Sequence, residues 1–193
     1  MKQSLEKEYN KAKRKSAKPM LWVSMVSMTM MFMGLTSAYV VSRKRYDWVS
    51  FDLPAAFYTS TVLIVLSSIT FILARRFLKK NNRTLTSAFL VTTLLLGIGF
   101  MYFQFLGFSE LMNTGLYFTG EQSTVKSSFI FGITGAHLVH ITAGIVVLLV
   151  VFFNHFNKKY SSKDLLGLEL GAIFWHFVDV LWVYLFFFFY FIR

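Results

Sequence analysis

Five long apolar blocks constrain this 193-residue chain more than any other feature of its sequence. Each block is longer than about 18 residues, the length at which an apolar stretch indicates a transmembrane helix. Because lipid offers the backbone no hydrogen-bond partners, such blocks cross a membrane as helices. The sequence therefore predicts an all-α integral membrane bundle of five transmembrane helices. The predicted spans are 20–42, 54–78, 84–112, 127–154 and 165–192.

The first apolar block follows a basic leader, residues 1–18, and residues 19–193 form the predicted transmembrane domain. Pro19 suits the first position of a helix, so we expect the helix to begin there and the leader to be disordered. The block is too long for a signal-peptide core, and we expect it to be retained. The chain has no Cys, which excludes disulfides and thiolate chemistry.

The net charge of +11 at first suggests a nucleic-acid partner. The basic residues, however, lie before and between the apolar blocks, where cytoplasmic segments of membrane proteins concentrate them. With the N-terminus in the cytoplasm, most of the 20 Lys and Arg residues fall on the cytoplasmic side. We therefore predict no nucleic-acid partner, a cytoplasmic N-terminus and a C-terminus on the outer side.

Ionisable side chains inside the predicted spans are concentrated on the last two. Span four carries His137 and His140, and span five carries Glu169, His176 and Asp179. The i, i+3 spacing places each pair on one helix face, and a rise of about 1.5 Å per residue puts the two pairs at similar depths. We expect these faces to meet, with Asp179 or Glu169 accepting a hydrogen bond from an imidazole of span four.

Three interpretations of this cluster remain open from the residues alone. It is a polar network that fixes helix packing, a zinc or non-haem iron site, or a proton-relay or lipid-headgroup site. Gly135 and Gly144 on span four are expected to let a neighbouring backbone approach closely.

Two segments of the last two spans contain long motifs. The run from Thr134 to Gly144 reads T-G-x-H-x-x-H-x-x-x-G, and the run from Glu169 to Trp182 reads E-x-x-x-x-[YF]-W-H-F-V-D-x-x-W. Both resemble signature motifs of the cytochrome c oxidase subunit III family. The chain is similar to the short, five-helix bacterial form. The resemblance marks Gly135, Gly144, Trp175 and Trp182 as packing positions. A family Glu linked to proton uptake falls at Met28, which cannot carry a proton, so that role is not transferred.

The resemblance implies a non-catalytic subunit III of a haem–copper terminal oxidase in the bacterial cytoplasmic (inner) membrane. Such a complex passes electrons to O₂ and pumps protons. The expected partners are the catalytic subunit I, subunit II, membrane lipids and a respiratory supercomplex. This chain is expected to bind phospholipid but no haem, copper or other metal. Its intramembrane polar residues then have a structural or lipid-supporting role. The alternatives are an accessory protein of nitric oxide reductase and a metal-dependent membrane enzyme that uses the histidine cluster.

Overall fold

The computed structural model describes residues 2–46, 48–49, 51–120, 123–157 and 165–192, with the backbone alone for residues 2–11 and 13. Each of its five helices contains a stretch that is long and apolar enough to cross a membrane. The all-α, five-span prediction is therefore confirmed. The helices are α1 (Lys2–Ser42), α2 (Ala55–Lys79), α3 (Arg83–Asn113), α4 (Val125–Phe156) and α5 (Leu166–Phe191).

The N-terminal end of α1 differs from the prediction. The helix already begins at Lys2, and Pro19 lies inside it, so the disordered leader and the helix start at Pro19 were wrong. Proline deprives the carbonyl four residues earlier, that of Lys15, of its hydrogen bond. Lys15 is exposed, so water can take the place of the lost donor and the helix continues. The ends of α2 to α5 lie within about two residues of the predicted ends.

Helices α2 to α5 form a closed four-helix ring. Among the described helices, α2 packs on α3, α3 on α4, α4 on α5, and α5 on α2, while α1 packs outside the ring against α4 and α5 alone. The tight turn between α2 and α3 uses Asn81 at a φ of 61°, a conformation that Asn tolerates well. Asn82 then caps α3 by accepting a hydrogen bond from the Leu85 amide.

The beginning of α4 is fixed by a capping box between Thr124 and Ser127. The Ser127 hydroxyl also donates to the Tyr117 carbonyl at 2.9 Å. Next to it, the buried Lys126 ammonium donates to the Phe51 carbonyl at 2.8 Å and lies 4.4 Å from the centre of the Phe51 ring. These contacts join the α3–α4 connection to the segment that precedes α2.

Helix α5 supplies much of the core because it packs against three other helices. Four of its fully buried large side chains recur every seven residues, the spacing that keeps one face of a helix turned towards neighbours at small crossing angles. These residues are Leu168, Trp175, Trp182 and Phe189.

Candidate functional site

The axis of the four-helix ring is occupied by Trp175 of α5. Its indole nitrogen donates a hydrogen bond to the Ser67 hydroxyl of α2 at 2.9 Å. A Cβ added at Gly97 of α3 would lie 2.8 Å from the indole ring, and one added at Gly144 of α4 would lie 3.0 Å from it. The ring of Trp175 therefore touches the three other helices at once, and two of those contacts require glycine.

Trp182 forms a second layer on the same axis, two helical turns further along α5. Its indole nitrogen donates to the Thr61 hydroxyl at 3.0 Å. Its ring lies edge-on to Phe57 and Phe100, with centroid distances of 5.7 and 5.2 Å, and 5.3 Å from His137. The structure thus places both tryptophans of the signature motif on the axis. We call Trp175, Trp182 and the side chains that touch them the axis.

The two glycines singled out on α4 behave differently. Gly144 admits a close neighbour, but that neighbour is the Trp175 indole rather than a backbone. A Cβ at Gly135 would have no described atom within 4 Å. The close backbone approach predicted for these positions was therefore wrong, because the four helices are spaced by the indole rings between them.

The α4 histidines pack against aromatic rings. His137 is fully buried, and neither ring nitrogen has a hydrogen-bond partner among the described residues. Its ring lies 6.2 Å from Phe32 of α1 and 6.1 Å from Phe100 of α3. The Nδ1 of His140 is 2.7 Å from the carbonyl of Ala136 in its own helix, and its ring also packs against Phe32.

Glu169 joins three helices at one end of the molecule. It accepts a hydrogen bond from Lys18 of α1 at 2.9 Å and from Arg75 of α2 at 2.8 Å. Its carboxylate is partly exposed, as both cations are. The prediction that Glu169 or Asp179 accepts a hydrogen bond from an α4 imidazole was therefore wrong.

The polar pair of α5 faces α2. The Nδ1 of His176 lies 2.6 Å from the Ser68 hydroxyl. Asp179 is only 3% exposed, and neither carboxyl oxygen has a hydrogen-bond partner among the described residues. Ser68 is also close to Asp179, but outside hydrogen-bonding geometry.

The two i, i+3 pairs consequently do not meet. The side chains of Trp175 and Trp182 project inward to the axis of the ring. Successive residues of a helix are turned by about 100° around it. His176 and Asp179 are thereby turned towards α2, while His137 lies against the axis and His140 lies towards α1. We call the polar residues along this interface the α2–α5 row: Ser68, Arg75, Glu169, His176 and Asp179.

The pairing of Glu169 with Lys18 of α1 and Arg75 of α2 was not predicted. Lys18 and Arg75 lie at the ends of spans, where they read as ordinary flanking charges. A signal was nevertheless present on α2, because Thr61, Ser68 and Arg75 follow one another at intervals of seven. That spacing places three polar side chains along one helix face.

The described part of the chain contains no group of three or more His, Cys, Asp or Glu side chains that could hold a metal ion. Met28, at the position of the family Glu, packs against the hydrophobic core.

The residues that build the ring also carry a family match. Residues 49–193 match the family model described as cytochrome c oxidase subunit III. This chain belongs to the cytochrome c oxidase subunit III family. The match contains α2 to α5 entirely, and therefore both the axis and the row.

Individual relatives of the family agree. Cytochrome c oxidase subunit 3 of Aedes aegypti is 37% identical over 127 residues, which is 66% of this chain and 46% of the relative. The Spodoptera frugiperda protein of the same name is 32% identical over 127 residues, which is 66% of this chain and 82% of the relative. The protein of that name from the bacterium Alkalihalophilus pseudofirmus is 26% identical over 155 residues, which is 80% of this chain and 73% of the relative. The chain spans about half the length of most of the curated relatives it matches.

Proposed function

We propose that this chain is the non-catalytic subunit III of a respiratory haem–copper terminal oxidase that passes electrons to O₂ and pumps protons. The observation that carries the proposal is the family match across the entire four-helix ring. Its partners are then the catalytic subunit I, subunit II and a respiratory supercomplex. The haems and copper belong to those partners, and this chain stabilises the catalytic subunit.

The packing of the axis supports a structural role. Helix bundles that hold cofactors do so between the facing helices of the core. In this chain that space is taken by the indole rings of Trp175 and Trp182, each bonded to a hydroxyl of α2. Glu169 and His176 likewise have partners within the chain. A ring whose axis is filled by two hydrogen-bonded indole rings suits a subunit that supports a neighbour.

A groove between α1 and the ring supports phospholipid binding. It has a volume of about 500 Å³ and is lined mainly by apolar side chains of α1, α4 and α5. Val147, Leu170 and Phe174 contribute to its wall, and Asn154 contributes a polar group. An acyl chain suits an apolar groove of this kind. We propose that a phospholipid occupies this groove. The packing of the helices around it is then supported by the polar cluster of spans four and five: His137, His140, Glu169, His176 and Asp179.

The proposed location is the bacterial cytoplasmic membrane, with the N-terminus inside. The bacterial relative and the five candidate spans support it. The concentration of Lys and Arg before α1 and around the α2–α3 turn supports the orientation.

Affinity purification of the tagged chain in mild detergent tests the main proposal. We expect a large subunit to co-purify, together with haem absorbance, copper and O₂ reduction. The chain separated from its partners should be colourless. Nitric oxide reduction without copper in the eluate would instead indicate the nitric oxide reductase accessory protein. Stoichiometric iron or zinc on the separated chain would overturn the proposal in favour of a metal-dependent enzyme.

Native mass spectrometry tests the lipid component. Val147→Trp fills part of the groove and should reduce the amount of bound phospholipid. The matched control is Val139→Trp, on the same helix but highly exposed and outside the groove. Equal lipid content in both variants would contradict binding at this groove.

A further inference from the structure

The α2–α5 row runs from one end of the molecule into the middle of a membrane span. Glu169 lies in the first turn of α5, His176 follows two turns later, and Asp179 follows one turn after that. At about 1.5 Å per residue, Asp179 lies about 15 Å along the helix from Glu169. The row therefore connects a partly exposed carboxylate with a buried one.

The row contains buried polar atoms that have no hydrogen-bond partner among the described residues. They are the Nε donor of Arg75 and both carboxyl oxygens of Asp179. Buried polar groups in proteins are nearly always satisfied, and water supplies the bond where no side chain does. A charge in the middle of a transmembrane helix is costly, so an unpaired Asp179 is stable there with a proton bound. The contacts of the row explain how that proton could arrive.

We propose that Asp179 is a proton-binding site that exchanges its proton with the Glu169 end of the molecule through Ser68 and His176. His176 first takes a solvent proton at Nε2 from the Glu169 end of the row and becomes an imidazolium. Its Nδ1 proton then passes to the Ser68 oxygen across the 2.6 Å contact, while the Ser68 hydroxyl gives its own proton to a carboxylate oxygen of Asp179. Ser68 ends with one proton, as it began, and His176 ends neutral with its proton on Nε2. Release of the proton from Asp179 reverses these steps and restores the starting tautomer of His176.

Helix α5 packs against α1, α2 and α4, and each turns an ionisable group towards this part of the molecule. Lys18 and Arg75 bond Glu169, and Arg75 also lies close enough to act on His176 electrostatically. From α4, His137 lies against Trp182 on the axis. The two cations keep Glu169 charged and hold the entrance in place. All of these groups belong to this chain, so the proton exchange does not depend on membership in an oxidase complex.

Infrared spectroscopy of the full chain in lipid membranes tests the proposal. We expect a protonated carboxylic acid band that is absent in Asp179→Asn and shifted in position in Asp179→Glu. On transfer to D₂O the band of the unaltered chain should shift rapidly. In Ser68→Ala and His176→Leu the exchange should be about a hundredfold slower, the usual contribution of a positioned proton-transfer group.

The matched control is Ser60→Ala on the same helix, because Ser60 faces α3 and accepts a hydrogen bond from Gln104. It should exchange as fast as the unaltered chain. A band that survives in Asp179→Asn would overturn the proposal, and so would equal exchange rates in Ser68→Ala and Ser60→Ala. The Ser68→Ala comparison retains Asp179, so it is informative even where Asp179→Asn fails to fold.

Discussion

The axis and the α2–α5 row use the same two helices and almost the same residues. On the axis, Ser67 accepts a hydrogen bond from Trp175 at 2.9 Å. On the row, the next residue of each helix makes the contact, since Ser68 lies 2.6 Å from His176. An indole nitrogen can only donate, so the Ser67 contact has one fixed direction. An imidazole both donates and accepts, so the Ser68 contact can reverse.

This difference separates two kinds of contribution to the protein. The axis holds the helices at a fixed distance, and it should respond to changes in side-chain volume. The row is made of polar partners, and it should respond to changes in chemistry at constant volume. The following predictions test that separation, from the largest expected effect to the smallest.

Trp175→Ala should have the largest effect on stability. It removes a fully buried ring that contacts α2, α3 and α4, and large-to-small core substitutions of this kind cost about 3–5 kcal/mol. The free energy of unfolding in mixed micelles, measured by denaturant titration, checks this. Trp22→Ala is the control, because Trp22 is 58% exposed and should change stability little. Equal losses in both variants would show that the axis is not where the ring is held together.

Gly97→Ala and Gly144→Ala should have the next largest effect on the free energy of unfolding. Each adds a methyl group against the Trp175 ring, at 2.8 and 3.0 Å, and overpacking typically costs about 1–3 kcal/mol. Gly135→Ala is the matched control on α4, since no described atom lies within 4 Å of its added Cβ. The same unfolding titration distinguishes them. A loss in Gly135→Ala as large as in Gly144→Ala would contradict a volume-limited axis.

His137→Leu and His176→Leu should change the free energy of unfolding in opposite directions, or His137→Leu should leave it unchanged. The first removes two buried nitrogens that have no hydrogen-bond partner in the described part of the chain, so the free energy of unfolding should stay the same or rise. The second removes the hydrogen bond to Ser68 and should lower it by about 1 kcal/mol. A thermal-shift series on the two variants checks the signs. Stabilisation by His176→Leu would mean that the row contributes nothing to folding.

Glu169→Gln should have the smallest effect. Its carboxylate is 21% exposed, and ion pairs at such positions contribute about 0.2–1 kcal/mol. High salt should slightly lower the free energy of unfolding of the unaltered chain, because salt screens exposed charge pairs. It should leave the free energy of unfolding of the variant unchanged. Unfolding titrations at low and high ionic strength measure this. A variant that remained as salt-sensitive as the unaltered chain would show that another charge pair is responsible.

The sequence was sufficient to predict the five spans and most of their ends. Apolar length alone decides these features, because a helix is the one open conformation that lipid allows. The spacing of His176 and Asp179 also correctly placed them on one face of α5. The spacing could not predict which helix that face contacts. The rotation of α5 about its own axis is set by the packing of the Trp175 and Trp182 rings between the four helices. Pro19 was misread as a helix start because Lys15, whose carbonyl it deprives of a hydrogen bond, is exposed, and the helix continues through it.

The position of α1 outside the ring has a consequence for biosynthesis. A chain is made from its N-terminal side, so α1 enters the membrane before the four helices of the ring, yet its only described helix partners are α4 and α5. Helices α2 and α3, joined by a short turn, can pair as soon as both have been inserted. Helix α1 must wait beside them until synthesis has passed Val125 and then Leu166. Contacts between segments so distant in sequence form late, so α1 precedes the ring in synthesis and completes its packing only after α5 has been made.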